Sequence, residues 1–436
     1  MKKKGIALLM TAALTMSLVA CGSSSDDTTS DEAEETEEAT EEEATEEASE
    51  EDTSEEEAAE EEATEEAAEE EETTASAEDI VLAMITDSGD ITDESFNQMT
   101  YEACQEWAEE YGVEFTYYKP EADSTEARVA SVDQAVADGA TVIVMPGYLF
   151  AGTIVEVGYT YPDVKFVALD VGEGDILEAG VGEDYTYVTT DYDVTEYYNT
   201  DNVYCCTYQE QLAGYMAGYA AVKMGYTHLG FLGGMSVPAV IRYGYGYVQG
   251  ADDAAQELGN ADEVTMEYVY GGQFYGDADI TAYMDTWYGT MGVEVVFACG
   301  GGIYTSAAEA AAKVDGKVIG VDSDQSYVMA EYGEDMCITS AMKSLDVTVK
   351  TVLTAIAEGN WDEYVGTMGN WGLASENPEE NYVTLPIDTT LWTDSFTEDD
   401  FRTLVASMYD GEIEVSDDTS AMPETSITVN EYGSVK

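Results

Sequence analysis

From Ile80 onward the chain alternates two kinds of pattern. Short apolar runs, Ile80 to Ile85, Val113 to Tyr118, Thr141 to Pro146 and Val164 to Asp170, predict strands, because continuous runs of this length suit strands covered on both faces. Between them lie segments with apolar residues at helical spacing: Ser95 to Tyr111, Thr125 to Asp138 and Tyr148 to Tyr159. In the first of these Phe96, Met99, Cys104, Trp107 and Ala108 face inward, and Gly112 ends the helix. The small-residue segment Gln209 to Met224 predicts a helix that leads into a second round of the same rhythm. That round has strands at His228 to Gly234, Val264 to Tyr270, Val293 to Gly302 and Lys317 to Asp324, and helices at Tyr243 to Gly259, Thr281 to Met291 and Ala307 to Val314. Strand–helix alternation implies α/β architecture with parallel sheets. The roughly 350 residues involved exceed one ordinary core, so two lobes with a cleft between them are expected. Ligands of such sheets gather beyond the carboxyl ends of the strands.

The segment before Ile80 has no such pattern. Lys2-Lys3-Lys4, an apolar run from Gly5 to Ala20 and Cys21-Gly22-Ser23 form an export signal over 1–21. Leu18-Val19-Ala20-Cys21 fits a bacterial lipobox, with Cys21 as the lipidated residue, and the apolar run is shorter than the ~20 residues a membrane span needs. The expected location is therefore the outer face of the cell membrane, held by lipid alone. Residues 22–79 are almost entirely Glu, Asp, Thr, Ser and Ala, which cannot bury enough apolar surface to offset ordering entropy, so an acidic disordered tether is expected.

Charge narrows the partners. The whole chain carries a formal net charge of -79. Of its 93 acidic residues 30 fall within 22–79, leaving 63 beyond against 11 of the 14 basic residues, a net of about -52 for the folded part. Such a field repels phosphates and disfavours nucleic acid, nucleotides and anionic lipid, while neutral or cationic solutes are accepted. Beyond Cys21 the cysteines are Cys104, Cys205, Cys206, Cys299 and Cys337, mostly inside apolar patterns where a thiol serves as a small hydrophobe. With His228 as the only histidine and no paired Cys/His spacing, no metal site and no cofactor are expected.

Catalytic frames are absent: the sequence has no GK[ST] loop, GxGxxG, GxSxG or HExxH. Gly300-Gly301-Gly302 follows an apolar strand and opens a helix, which fits either a tight turn or backbone N–H groups presented to a ligand.

Five segments, in order and at compatible spacing, resemble the basic membrane protein family of substrate-binding lipoproteins, the nucleoside-capturing components of ABC importers. They are "ITDSGDITDESFNQMTYEACQEWAEEYGVE", "YQEQLAGYMAGYAA" (Tyr208 to Ala221), "GFLGGMSVPAVIRYGYGYVQG" (Gly230 to Gly250), "VIGVDSDQS" (Val318 to Ser326) and "ITSAMKSLDVTV" (Ile338 to Val349). The resemblance implies a two-lobed type I periplasmic-binding-protein fold over 80–436, joined by a three-strand hinge. The N-terminal lobe is expected at about 80–203 plus part of 322–350, and the C-terminal lobe at about 204–321 plus later segments. It implies no catalysis, a nucleoside ligand (a purine in preference to a pyrimidine), ABC permease partners and a working monomer.

By the same resemblance Phe96 stacks on the base, Asp87 and Asn97 meet its edge, and Phe274 closes the sandwich from the other lobe. Asp322 and Lys343 hold the ribose hydroxyls, and Gly301 lines that end. The chemistry is coherent in itself: an aromatic face stacks on an uncharged base, and one carboxylate accepts from both hydroxyls of a cis-diol. The other reading of Asp322 and Lys343 is an interlobe salt bridge. Two segments depart from the family pattern: Ser236 stands where an acid is usual, and "MPGYLFAG" lacks the usual polar pair, so Tyr148 is the expected base contact there. Two further classes compete, a sensor module for a membrane signalling partner and a binding protein for another neutral solute such as a sugar.

Overall fold

The computed structural model describes residues 77–87 and 89–436. The export signal, Cys21 and nearly all of the acidic tether lie outside the described residues. The last residues of the expected tether, Ala77–Asp79, form a 3-10 turn, closed by the Ile80 N–H donating to the Ala77 carbonyl.

Two parallel sheets organise the chain. The first has the order β2-β1-β3-β4-β5-β11, built from β1 (Val81–Ile85), β2 (Glu114–Tyr118), β3 (Val142–Pro146), β4 (Lys165–Leu169), β5 (Val203–Tyr208) and β11 (Met368–Trp371). The second has the order β13-β7-β6-β8-β9-β10-β12, from β6 (His228–Gly233), β7 (Thr265–Tyr270), β8 (Val295–Cys299), β9 (Lys317–Asp322), β10 (Cys337–Lys343), β12 (Val383–Thr384) and β13 (Thr428–Ser434). Every pairing is parallel except that of β12 with β10. Central strands such as β3, "VIVMP", are buried along their whole length, as expected of strands sandwiched between helices.

Helix α1 (Phe96–Tyr111) ends where the sequence predicts: Gly112 adopts φ 68° and its N–H returns to the Ala108 carbonyl, a left-handed cap that costs glycine little. Helices α2 (Thr125–Ala137), α3 (Ala151–Thr160) and α4 (Glu173–Val181) complete the first lobe's first round. Helices α5 (Glu210–Lys223), α6 (Pro238–Leu258), α7 (Ala278–Thr286) and α8 (Tyr304–Ala311) belong to the second, followed by the short α9 (Ser326–Met329), α10 (Leu345–Ala357) and α11 (Glu398–Tyr409).

The chain passes between lobes three times, and the crossings differ from the sequence-based boundaries. β5 runs on to Tyr208 in the first sheet, so the first crossing falls between Tyr208 and Glu210 instead of at 203. β10 pairs with β9 in the second sheet, so within 322–350 the return begins only at Leu345, from which α10 packs against α1. The third crossing runs from β11 to β12. The reason is hydrogen bonding: β5 and β10 each complete a ladder with a neighbour, and a strand leaves its sheet only where the ladder ends.

Helices α5 and α6 pack backbone against backbone. A Cβ at Gly214 or Gly218 would overlap the carbonyls of Tyr243 and Tyr247, and one at Gly246 or Gly250 would overlap those of Gln211 and Tyr215. Reciprocal glycines four residues apart therefore let two backbones touch. The consequence for the site is register: this contact fixes Glu210, at the start of α5, against Arg242 of α6. The apolar core follows the crossings. One cluster runs from Leu82 and Trp107 through Tyr208 and Ala213 to Phe231 and Val349 and so includes both lobes, while the outer face of each sheet has a cluster of its own.

Candidate functional site

The site lies where four strand ends converge. β4 delivers Asp170, β9 delivers Asp322, β10 delivers Lys343, and the first crossing delivers Tyr208 and Glu210. Asp170 and Asp322 both take left-handed backbone, φ 57° and 62°, which Asp tolerates better than most residues because its short polar side chain bonds locally. Glu94, in the first loop, does the same at φ 54°. Backbone strain of this kind costs about 1–3 kcal/mol per residue and persists where surrounding contacts enforce it.

Lys343 is the centre of the cluster. Its buried Nζ donates to Asp170 Oδ2 at 2.6 Å and to Glu210 Oε1 at 3.1 Å, and stands 4.0 Å from Asp322 Oδ1. The ammonium also lies over three rings, 5.0 Å from the centroid of Phe96, 5.2 Å from Tyr208 and 5.6 Å from Tyr243. Asp170 belongs to the first lobe and Lys343 to the second, so their ion pair joins the lobes, whereas Asp322 and Lys343, alternatively read as an interlobe salt bridge, come from neighbouring strands of one sheet. Arg242 Nε donates to the other oxygen of Glu210 at 2.6 Å. Two cations thus face three carboxylates, and all of these groups but the partly exposed Arg242 are buried.

Protonation follows from this arrangement. Burial pushes the Asp170 carboxyl up to about 7, although the Lys343 ammonium pulls it down. Burial also pushes Asp175, near Arg242, up to about 6. Burial acts on Glu210 in the same direction, but Arg242 and Lys343 outweigh it and its pKa falls. For Lys343 burial favours the neutral amine, and Asp170, Glu210 and Asp322 together reverse that and hold it charged.

Asp322 accepts from Ser95 Oγ at 2.6 Å on one oxygen and from the Tyr243 hydroxyl at 3.3 Å on the other. The Ser95 bond crosses between lobes and is joined by others. The Glu94 carbonyl accepts from Ser323 Oγ at 2.9 Å and Gln325 Nε2 at 3.1 Å, and the Tyr327 hydroxyl donates to the Glu94 carboxylate. Ser95, Asp322, Lys343, Tyr208 and Tyr243 are all buried.

The sequence-predicted residues fall into three groups. Phe96, Asp322 and Lys343 are together, with half-buried Phe96 under the ammonium. Asp87 and Asn97 are together: Asn97 Nδ2 donates to Asp87 Oδ1 at 2.9 Å and Asn97 Oδ1 accepts from the Asp87 N–H at 3.1 Å. Tyr148 adjoins this pair, following Gly147, which packs on the Asp87 carboxylate; burial, then Asp123 and Asp87, raise the Tyr148 pKa. Phe274 and Gly301 form the third group in the second lobe, the Phe274 ring lying on Gly234 and Gly300 with its carbonyl against Gly301. Ring and turn fit because no Cβ intrudes.

Sequence reasoning missed Asp170, Glu210, Arg242, Tyr208, Tyr243 and Ser95. A signal existed for Arg242, which lies in the quoted "VIRYGY" segment and is one of the few cations beyond the tether. The others are ordinary residues of an acidic, tyrosine-rich chain until the crossings bring them together. The five cysteines beyond Cys21 are free and buried, in keeping with apolar packing.

Two parallel-sheet lobes joined by three crossings define the type I periplasmic-binding-protein fold. The fold is shared with an ABC transporter solute-binding protein of Aeropyrum pernix (TM-score 0.55, 22% identity, covering 77% of this chain and 87% of that one). It is shared equally with one from Conexibacter woesei (TM-score 0.55, 21% identity, 77% and 99% covered). Residues 80–379 match the profile of the Bmp family, described as ABC transporter substrate-binding protein PnrA-like, and the chain belongs to that family. Among its relatives are the ABC transporter nucleoside-binding protein BmpA of Lactococcus lactis, 26% identical over 301 residues (65% of this chain, 76% of that protein), and basic membrane protein B of Borreliella burgdorferi, 25% identical over 276 residues (62% and 72%). An uncharacterised lipoprotein of Pyrococcus abyssi is 25% identical over 303 residues (68% and 69%). The family is one of substrate-binding proteins. Among the described residues no helix is long and apolar enough to cross a membrane.

Proposed function

We propose that this protein is a lipid-anchored receptor that closes its two lobes on a nucleoside and presents the closed form to an ABC permease. The observation that carries the reading is the cluster of Phe96, Asp322 and Lys343: an aromatic ring beside a buried carboxylate and a buried ammonium at the lobe boundary. Such a cluster matches a ligand with a π face at one end and hydroxyls at the other, and the relative from Lactococcus lactis is named for nucleoside binding. Stacking on one aromatic contributes about 1–3 kcal/mol per base. Asp87, Asn97 and Tyr148 are assigned to the base edge, with a purine preferred, Phe274 to the second stacking face, and Gly301 to the wall beside it. Anchoring rests on Cys21, and relatives named as lipoproteins support it. The protein is assigned as a monomer held to the membrane by lipid alone.

Thermal shift against nucleosides, free bases, pentoses and amino acids tests the assignment. Nucleosides should raise the melting temperature most. Equal shifts with free bases would remove the sugar role of Asp322 and Lys343, and shifts with amino acids or sugars alone would replace the ligand class.

A further inference from the structure

We infer that Ser95 is a specificity-determining residue that makes the sugar end of the site tolerant of deoxynucleosides; the inference rests on the nucleoside reading above. Ser95 precedes the first residue of α1, the position at which a serine side chain ordinarily accepts from the helix's own N–H groups. Here it makes no such cap. Asp93 takes over that work, accepting from the N–H groups of Ser95 at 3.0 Å, Asn97 at 3.1 Å and Gln98 at 3.1 Å. The Ser95 hydroxyl is thereby released to donate across the lobes to Asp322 Oδ2, a bond with both partners buried.

The consequence concerns what happens when a ligand lacks a hydroxyl. A site built to accept from a ligand hydroxyl normally rejects the analogue without it, because a buried acceptor is left unpaired. At Asp322 that penalty is removed. Ser95 Oγ already satisfies one carboxylate oxygen with no ligand involved, and Tyr243 lies within reach of the other. A ribonucleoside competes with Ser95 for the carboxylate, whereas a 2′- or 3′-deoxynucleoside leaves the Ser95 bond in place. The two outcomes differ little in the number of hydrogen bonds formed, so 2′-deoxynucleosides belong to the ligand range of this protein alongside ribonucleosides.

Calorimetric titration of the full chain and its Ser95→Ala variant with inosine, 2′-deoxyinosine and 3′-deoxyinosine tests this. The wild-type dissociation constants should differ by less than about fivefold between inosine and either deoxy form. In Ser95→Ala the deoxy forms should be disfavoured by about tenfold more than in the wild type, the effect expected when one buried acceptor loses its only substitute partner. Because the readout is a ratio within each protein, a uniform loss of affinity or stability in the variant does not disturb it. A wild-type preference for inosine of thirtyfold or more, or a ratio unchanged by Ser95→Ala, would overturn the inference while leaving the nucleoside reading intact. Failure of all three compounds to bind the wild type would overturn the nucleoside reading and this inference with it.

Discussion

Replacing Lys343 by methionine isolates the charge at the centre of the site. The two side chains have similar length, so the buried stem keeps most of its packing and the substitution removes little but the ammonium. Before the change Lys343 and Arg242 face Asp170, Glu210 and Asp322; afterwards Arg242 alone remains, committed to Glu210. Removing one partner of a buried ion pair costs about 3–5 kcal/mol. Asp170 offers partial relief, because its carboxyl already titrates at about 7 and takes up a proton at little cost near neutrality. The expected loss is therefore about 3 kcal/mol at pH 7, near the lower end of that range, and less at pH 5. Adding Asp170→Asn removes the carboxylate nearest the missing ammonium and should restore about 1–2 kcal/mol. Urea unfolding followed by tryptophan fluorescence at both pH values measures all four proteins of the cycle. Lys343→Met within about 0.5 kcal/mol of wild type at pH 7 would refute the reasoning, since that is the scatter of an ordinary surface substitution. So would a double variant no more stable than Lys343→Met.

Three further outcomes follow from the same geometry. Asp170 and Asp175 hold their protons in the folded state up to about 7 and about 6, well above the ordinary carboxylate value, so the folded protein binds more protons than the unfolded one across that window. Stability should accordingly be greatest near pH 4 and fall as pH rises towards 7, by at most about 1.4 kcal/mol per pH unit per group. Urea midpoints that fall as steeply in Asp170→Asn as in wild type would assign the effect elsewhere. Gly218→Ala places a methyl group against the Tyr247 carbonyl and should cost about 1–3 kcal/mol by forcing α5 from α6, read as a lowered urea midpoint. Phe96→Ala should weaken nucleoside affinity by one to two orders of magnitude from the lost stacking, and unchanged affinity by calorimetry would return Phe96 to the core.

How much of this was legible in the chain depended on burial. Central strands and the helices covering them announced themselves, because a segment buried on both faces has no choice but to be apolar, as β3 shows. β11, "MGNW", and β13, "TVNEYGS", lie at sheet edges, the first mostly half-buried and the second largely exposed, so no period marks them. The start of α6 is at Pro238, earlier than the apolar pattern from Tyr243 suggests; proline at a first helical position was the missed signal. At the site, Phe96, Asp322 and Lys343 stood out because a lysine is rare in so acidic a chain and because the segments resembled a family. Asp170 and Glu210 could not stand out: each is one acid among 93, and only the ends of β4 and β5 bring them to Lys343. Ser95 was hidden for a different reason, since a serine before a helix reads as a cap and its bond to Asp322 spans 227 residues.

Titration of the full chain with inosine, with hypoxanthine and ribose run separately, tests the central claim most directly. The account predicts one inosine per chain, bound more tightly than either fragment and weakened by Phe96→Ala. Hypoxanthine binding as tightly as inosine, or no heat from any nucleoside, would contradict it.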